Sequence, residues 1–207
     1  MPFRTEKLHI LENSVKTLLE RTPAHLLDRI VLVDDNNPEN LTGHFENKFP
    51  KTVYIKNSKR EGLIRSRMYG SYECDSPILV FFDCHIEANV GWYEPIAQTI
   101  KNDPTYIVVP EIDSISDKKP YAYVSSGSTV IGGFGWHLGF TWKYLSNEQS
   151  KNRSPTDLKI SPAMPGGLFA ASAKYWKIIG EFDREMDIWG AENVELSLRI
   201  WLCGGTL

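Results

Sequence analysis

Two short stretches place acidic residues where apolar runs end, and one of them could hold a metal ion. Asp83-Cys84-His85 sets a carboxylate and an imidazole two residues apart. In an extended chain such residues project to the same side and can chelate one divalent ion. An oxygen with a neutral imidazole nitrogen suits manganese, zinc or iron better than calcium. The triplet reads equally as a polar strand end finished by turn contacts. Asp34-Asp35, followed by Asn36-Asn37-Pro38, is a second acidic site of the same kind, or the opening of a solvated turn.

Three further groups have two readings each. Arg60-Glu61-Gly62 with Arg65 and Arg67 gathers guanidinium groups where a helix opens, and backbone N–H groups there favour anions such as phosphate. Alternatively, Arg65 and Arg67 lie on a solvated helix face. Gly166-Gly167 is a plain turn, or a place where backbone approaches a sugar ring. Asp187-Ile-Trp189-Gly-Ala-Glu192-Asn193 joins a flat aromatic wall, a flexible turn, a carboxylate and an amide at a helix start. An acid there gains from the helix dipole. The other reading is an ordinary helix start with Trp189 as core filler.

The elements that must position these groups follow from hydrophobic spacing. Leu8, Leu11, Val15, Leu18 and Leu19 recur at helical intervals until Pro23. Ile30-Val31-Leu32-Val33, Val53-Tyr54-Ile55 and Ile78 to Phe82 are unbroken apolar runs, as strands buried on both faces require. Between and after them lie a helix over Gly62 to Tyr72 and one marked by Trp92, Ile96 and Ile100. Tyr106 to Val109 is a strand stopped by Pro110. From Asp113 to Pro165 the pattern breaks into irregular strands or loops rather than helix. A short helix around Lys174 to Ile179 and a final helix from about Glu192 close the chain, with Gly204-Gly205 as its stop. This is βα alternation, predicting an open α/β sheet with ligands beyond the carboxyl ends of its strands.

Composition narrows the class. A chain of 207 residues with 42% hydrophobic content can bury one core, and a net charge of -3 without a basic stripe argues against nucleic acid. Three scattered cysteines fit neither a disulfide scaffold nor a four-cysteine zinc site. The apolar run Ile78 to Phe82 is far too short to span a membrane, and nothing in the chain targets or anchors it. Asn40-Leu-Thr42 and Asn152-Arg-Ser154 match the N-glycosylation pattern, which matters only in the secretory pathway.

Taken together and in order, the motifs resemble the catalytic domain of the polypeptide N-acetylgalactosaminyltransferases along the whole chain. The matching segments are Val31-Leu-Val-Asp-Asp35, Arg60-Glu-Gly-Leu-Ile-Arg-Ser-Arg67, Asp83-Cys-His85, Gly166-Gly-Leu-Phe169 and Trp189-Gly-Ala-Glu-Asn193, followed by Cys203-Gly-Gly205. The resemblance implies a Rossmann-like GT-A fold, mostly parallel with helices on both faces. It also implies Mn2+ held by Asp83 and His85 and bridging the diphosphate of UDP-N-acetylgalactosamine. Asp35, Arg60 and Cys84 would contact the nucleotide, Cys84 standing where the family usually carries a small residue. Gly167, Arg67 and Glu192 would surround the sugar, Gly166 and Asn193 would also bind substrate or nucleotide, Trp189 would lie near the diphosphate, and Glu192 would be catalytic, stabilising an oxocarbenium-like centre. The acceptor would be a Ser or Thr hydroxyl of a polypeptide, the anomeric configuration would be retained, and the compartment would be the Golgi lumen.

Departures from the family pattern set further expectations. Phe3-Arg4-Thr5-Glu6 resembles the family's Phe-His-Asn-Glu motif, with Arg4 and Thr5 in place of His and Asn. Only Met1 and Pro2 precede it, so the first strand of the sheet is expected to be missing. A third metal-ligating histidine and a closing loop would follow Leu207, and residues 1–207 read as a partial catalytic domain without a lectin domain or transmembrane segment. A transferase-like binding module without catalysis is the alternative. An unrelated Asp-X-His metallohydrolase has no further His or Asp cluster to support it.

Overall fold

The computed structural model describes residues 1–116, 122–126 and 129–207. Where no first strand was expected, Pro2–Phe3 forms a two-residue strand, β1, parallel to Ile30–Asp34 (β2), with Pro2 opposite Val33 and Phe3 opposite Asp34. Backbone bonds from Val33 N to Met1 O (3.0 Å) and from Asp35 N to Phe3 O (3.0 Å) hold it. Between them runs α1 (Leu8–Arg21), which buries Leu11, Val15 and Leu18 against the sheet. Each such side chain contributes about 1.5–3 kcal/mol on leaving water.

After β2 come a short helix, α2 (His44–Lys48), and β3 (Thr52–Lys56), which pairs with β2 in parallel and in register from Ile30 opposite Thr52 to Asp34 opposite Lys56. Helix α3 (Gly62–Tyr72) leads to β4 (Ile78–Phe81), and α4 (Tyr93–Asn102) to β5 (Ile107–Val108). Pro95 sits in the first turn of α4, where a missing N–H breaks no helical bond.

The segment expected to be irregular contains two hairpins and one helical turn among its described residues. Strands β6 (Ser114–Ile115) and β7 (Tyr123–Val124) pair, as do β8 (Val130–Phe134) and β9 (Phe140–Tyr144). A single turn, α5 (Asn147–Ser150), departs from the non-helical expectation, because Ser146 and Gln149 close a reciprocal capping box around it. Strand β10 (Phe169–Ser172), α6 (Ala173–Ile178) and α7 (Glu192–Leu202) complete the chain.

The expected parallel order holds for β1-β2-β3, whereas β10 inserts antiparallel between β4 and β5. Aromatic packing secures that insertion: Phe169 stacks on Phe81 at 4.5 Å between centroids, and Trp176 and Phe182 close around them. Ile64 and Met68 of α3 and Leu196 and Ile200 of α7 finish this core, so α3 and α7 are fixed to one body. Among the described residues, no helix is long and apolar enough to cross a membrane.

Candidate active site

Strand β4 ends at Phe81, so Asp83 and His85 do not share one extended face as the spacing suggested; the chain bends at Cys84 and His85. The bend is built from outside the strand. The Ser14 hydroxyl, fully buried on α1, donates to Cys84 O (2.9 Å) and accepts from Ile86 N (2.9 Å). Even so, Asp83 and His85 line the same cavity of ≈ 240 Å³, together with Arg4, Asp35, Arg60, Cys84 and Trp189. A larger cavity of ≈ 670 Å³ lies between the edges of β2 and β4, with Arg67 among its lining residues. Its wall also carries Asp28, Arg29 and Lys51, whereas the smaller one gathers residues of four of the motifs.

Asp83 is held from beneath. Its Oδ1 accepts from Arg67 Nη2 at 2.9 Å, while Arg67 Nη1 donates to Gly166 O (2.6 Å) and Nη2 also to Gly167 O (2.9 Å). Burial pushes the Arg67 guanidinium down from its ordinary value, opposed by Asp83 and Glu192. A Cβ on Gly167 would lie 2.5 Å from Asp83 Oδ2, so the bare glycine gives that oxygen its place. Gly166, at φ +87°, would place a Cβ 2.8 Å from that of Asn193, whose amide donates to Met164 O (2.9 Å). Gly166, Gly167, Asn193 and Arg67 thus stand behind the site rather than on the wall of the small cavity.

The cluster of arginines at the opening of α3 is corrected by the structure. Asp35, 4% exposed, takes the amides that would bind a phosphate: Oδ1 accepts from Glu61 N (2.7 Å) and Oδ2 from Gly62 N (3.0 Å). Its own carboxylate caps the helix, because a short acid after β2 reaches those donors without help from a ligand. Arg65 turns away to Glu61 (2.9 Å) and Asp187 (2.7 Å), and Arg67 is buried. Arg60 alone of the three faces the cavity, exposed and without an ion pair among the described residues. Asp34 is structural, fully buried with Asn37 and the Tyr54 hydroxyl on its oxygens.

Across the cavity, Trp189 is 75% exposed instead of filling the core. Its loop is strained: Ile188, Gly190 and Ala191 have φ of 58°, 109° and 64°. Gly62 anchors it, forming a parallel bridge with Ile188, whose O accepts from Leu63 N (2.7 Å). Glu192, 4% exposed, accepts from Gly190 N at 2.7 Å and lies off the cavity wall.

One neighbour was not anticipated. Glu6 Oε2 lies 3.0 Å from His85 Nδ1, which leaves Nε2 without a hydrogen bond among the described residues. The Phe-Arg-Thr-Glu motif was the only signal for it, since the partners are 79 positions apart. Burial, with Glu6 and Asp83 nearby, pushes the Cys84 thiol up to about 12.

The sequence model of glycosyl transferase family 2 matches residues 1–174, and the chain belongs to that family. It is 44% identical over 211 residues to the probable N-acetylgalactosaminyltransferase 9 of Caenorhabditis elegans, covering 99% of this chain and 36% of that protein. With polypeptide N-acetylgalactosaminyltransferase 12 of Mus musculus the identity is 42% over 211 residues, with the same two shares, 99% and 36%. The chain therefore spans little more than a third of the length of these curated relatives.

Among solved structures, GalNAc-T7 with UDP, GalNAc and Mn2+ superposes with a TM-score of 0.91 at 31% identity, covering 100% of this chain and 40% of that one. The mannosyltransferase PcManGT from Pyrobaculum calidifontis, with GDP-Man and Mn2+, gives 0.63 at 14% identity over 99% of this chain and 51% of that one, a likeness of fold alone. The fold is the GT-A type that the resemblance implied, and the resemblance to polypeptide N-acetylgalactosaminyltransferases is borne out.

Proposed function

We propose that residues 1–207 form part of the catalytic domain of a retaining, manganese-dependent UDP-N-acetylgalactosamine:polypeptide transferase that modifies Ser or Thr in the Golgi lumen. The observation that carries this reading is the convergence of Asp83, His85, Arg60 and Trp189 on one cavity. It occurs in a chain that is 31% identical to GalNAc-T7 and superposes on it at a TM-score of 0.91.

The residues fit the metal. Asp83 Oδ2 takes no hydrogen bond among the described residues, and the Glu6 contact to Nδ1 leaves His85 Nε2 for coordination. Oxygen and imidazole nitrogen are ligands that manganese accepts. Bound there, Mn2+ supplies Lewis-acid stabilisation of charge on a departing diphosphate.

The chain's own groups do the rest. Arg67 keeps Asp83 in place through a bond that does not use Oδ2. Arg60, without an ion pair among the described residues, offers its guanidinium to a phosphate, and Trp189 an exposed aromatic face beside it. Glu192, buried off the cavity wall, accepts from the Gly190 amide and holds the loop that carries Trp189. Asp35 acts through the backbone, holding the Arg60 turn by its caps on Glu61 and Gly62.

The test is a thermal melt of the purified chain with manganese and UDP, singly and together. A ligand that binds the native state raises its melting temperature. A rise only when both are present is expected. No shift at millimolar ligand sinks the catalytic reading and favours a transferase-like binding module.

A further inference from the structure

We propose that Glu6, Cys84 and His85 form a zinc-selective site distinct from the Asp83 manganese position, and that zinc and manganese exclude each other through their shared histidine. The zinc site stands on its own geometry; only the competition rests on the manganese reading.

The three ligand atoms already have the spacing of a coordination shell. Zinc bonds of about 2.0–2.3 Å at tetrahedral angles separate ligand atoms by roughly 3.3–3.8 Å. Here Glu6 Oε2 is 3.0 Å from His85 Nδ1, and Cys84 Sγ is 3.8 Å from each of them. All three atoms lie within 4.8 Å of one another. Ion binding therefore needs little rearrangement of side chains, and water or a phosphate oxygen can complete the fourth position.

The backbone beneath the cluster is also fixed in advance. Ser14 clamps the chain on both sides of the Cys84-His85 bend, at Cys84 O and Ile86 N. Glu6 is tied to its own turn by Lys7 N, which donates to Oε1 at 2.8 Å and leaves Oε2 to the cluster. A thiolate selects zinc over manganese, since manganese prefers oxygen ligands and binds sulfur weakly.

Exclusion follows from imidazole chemistry. A neutral ring has one lone pair, on whichever nitrogen carries no proton. Zinc on Nδ1 puts the ring proton on Nε2, so that nitrogen cannot ligate manganese beside Asp83. Binding also releases the Cys84 proton to solvent, leaving a thiolate–zinc bond and a net charge gain of one at the cluster.

Cobalt(II) reports the thiolate bond as a charge-transfer band in the near ultraviolet, and the spin resonance of free Mn2+ reports manganese release. Titration of the full chain with Co2+ should raise that band, and Zn2+ should abolish it by displacement. Cys84→Ser should lose the band and about 100-fold in zinc affinity, and Glu6→Gln should lose about tenfold. Asp83→Asn should keep the band while losing manganese. Zn2+ added to the chain with Mn2+ and UDP should return the free manganese signal. A titration without a thiolate band, or a band retained in Cys84→Ser through Cys74 or Cys203, overturns the zinc site. Simultaneous binding of both metals overturns the exclusion. A band in a chain that binds no manganese leaves the zinc site standing and sinks the manganese reading instead. Should Cys84→Ser fail to fold, zinc protection of Cys84 from alkylation, mapped by mass spectrometry on the unmodified chain, decides the same point: equal labelling with and without zinc counts against the site.

Discussion

Arg67 Nη2 stands 2.9 Å from Asp83 Oδ1 while the same guanidinium holds the carbonyls of Gly166 and Gly167, so one buried cation ties the candidate metal ligand to the glycine loop. Arg67→Met removes the charge and every one of these bonds. Urea unfolding should show a loss of about 2–4 kcal/mol, since buried acceptors left without donors retain their desolvation cost. The manganese-and-UDP melting shift should vanish in the folded fraction.

Gly167→Ala separates binding from stability. Its Cβ would lie 2.5 Å from Asp83 Oδ2, and the carboxylate must swing aside. Manganese affinity, read by titration calorimetry with UDP present, should fall about 10- to 100-fold, the range seen when a ligand's support is disturbed. Unchanged affinity would show that Oδ2 is not a metal ligand.

Gly62→Ala attacks the loop of Trp189 from the other side. A Cβ there meets Ile188 Cα at 2.3 Å, and φ is +83°. Two penalties combine, left-handed backbone and collision with a main chain that cannot yield easily. Destabilisation by about 2–4 kcal/mol is expected, with protease cleavage appearing at 187–191 before the rest of the chain unfolds.

Glu12 gives a pH dependence remote from the site. Lys48 and then His44 hydrogen-bond its carboxylate and hold it below the ordinary carboxyl value of 4.5. A folded value below the unfolded one means the contribution is present above 4.5 and lost as pH falls through the lower folded value. Its partners are partly exposed, so Glu12→Gln should cost only about 0.5–1 kcal/mol at pH 7. The difference from the parent chain, measured by denaturant titration, should vanish in acid.

The sequence made the framework legible where local pattern dominates. Continuous apolar runs marked β2 and β4, and the spacing of Ile64 and Met68 marked α3 with its observed bounds. It did not show β10, because Phe169-Ala-Ala-Ser has no alternation and no β-branched residue; stacking on Phe81 and pairing on both edges place it. At the site the residue types were readable and their partners were not. Asp35 caps amides 26 and 27 positions away, and Glu6 meets His85 across 79, distances over which one sequence carries no spacing signal. The separation of Arg65 and Arg67 from Arg60 was illegible for the same reason: burial of Arg67 and the Asp187 partner of Arg65 arise only once α3 packs.

The Ser14 clamp makes the first helix part of the bend that carries His85. That hydroxyl grips the main chain on either side of His85, and the rest of α1 is bolted to β2 through Leu11, Val15 and Leu18. At its far end Arg21 donates to Ala88 O, so the same helix fixes the segment that follows His85 a second time.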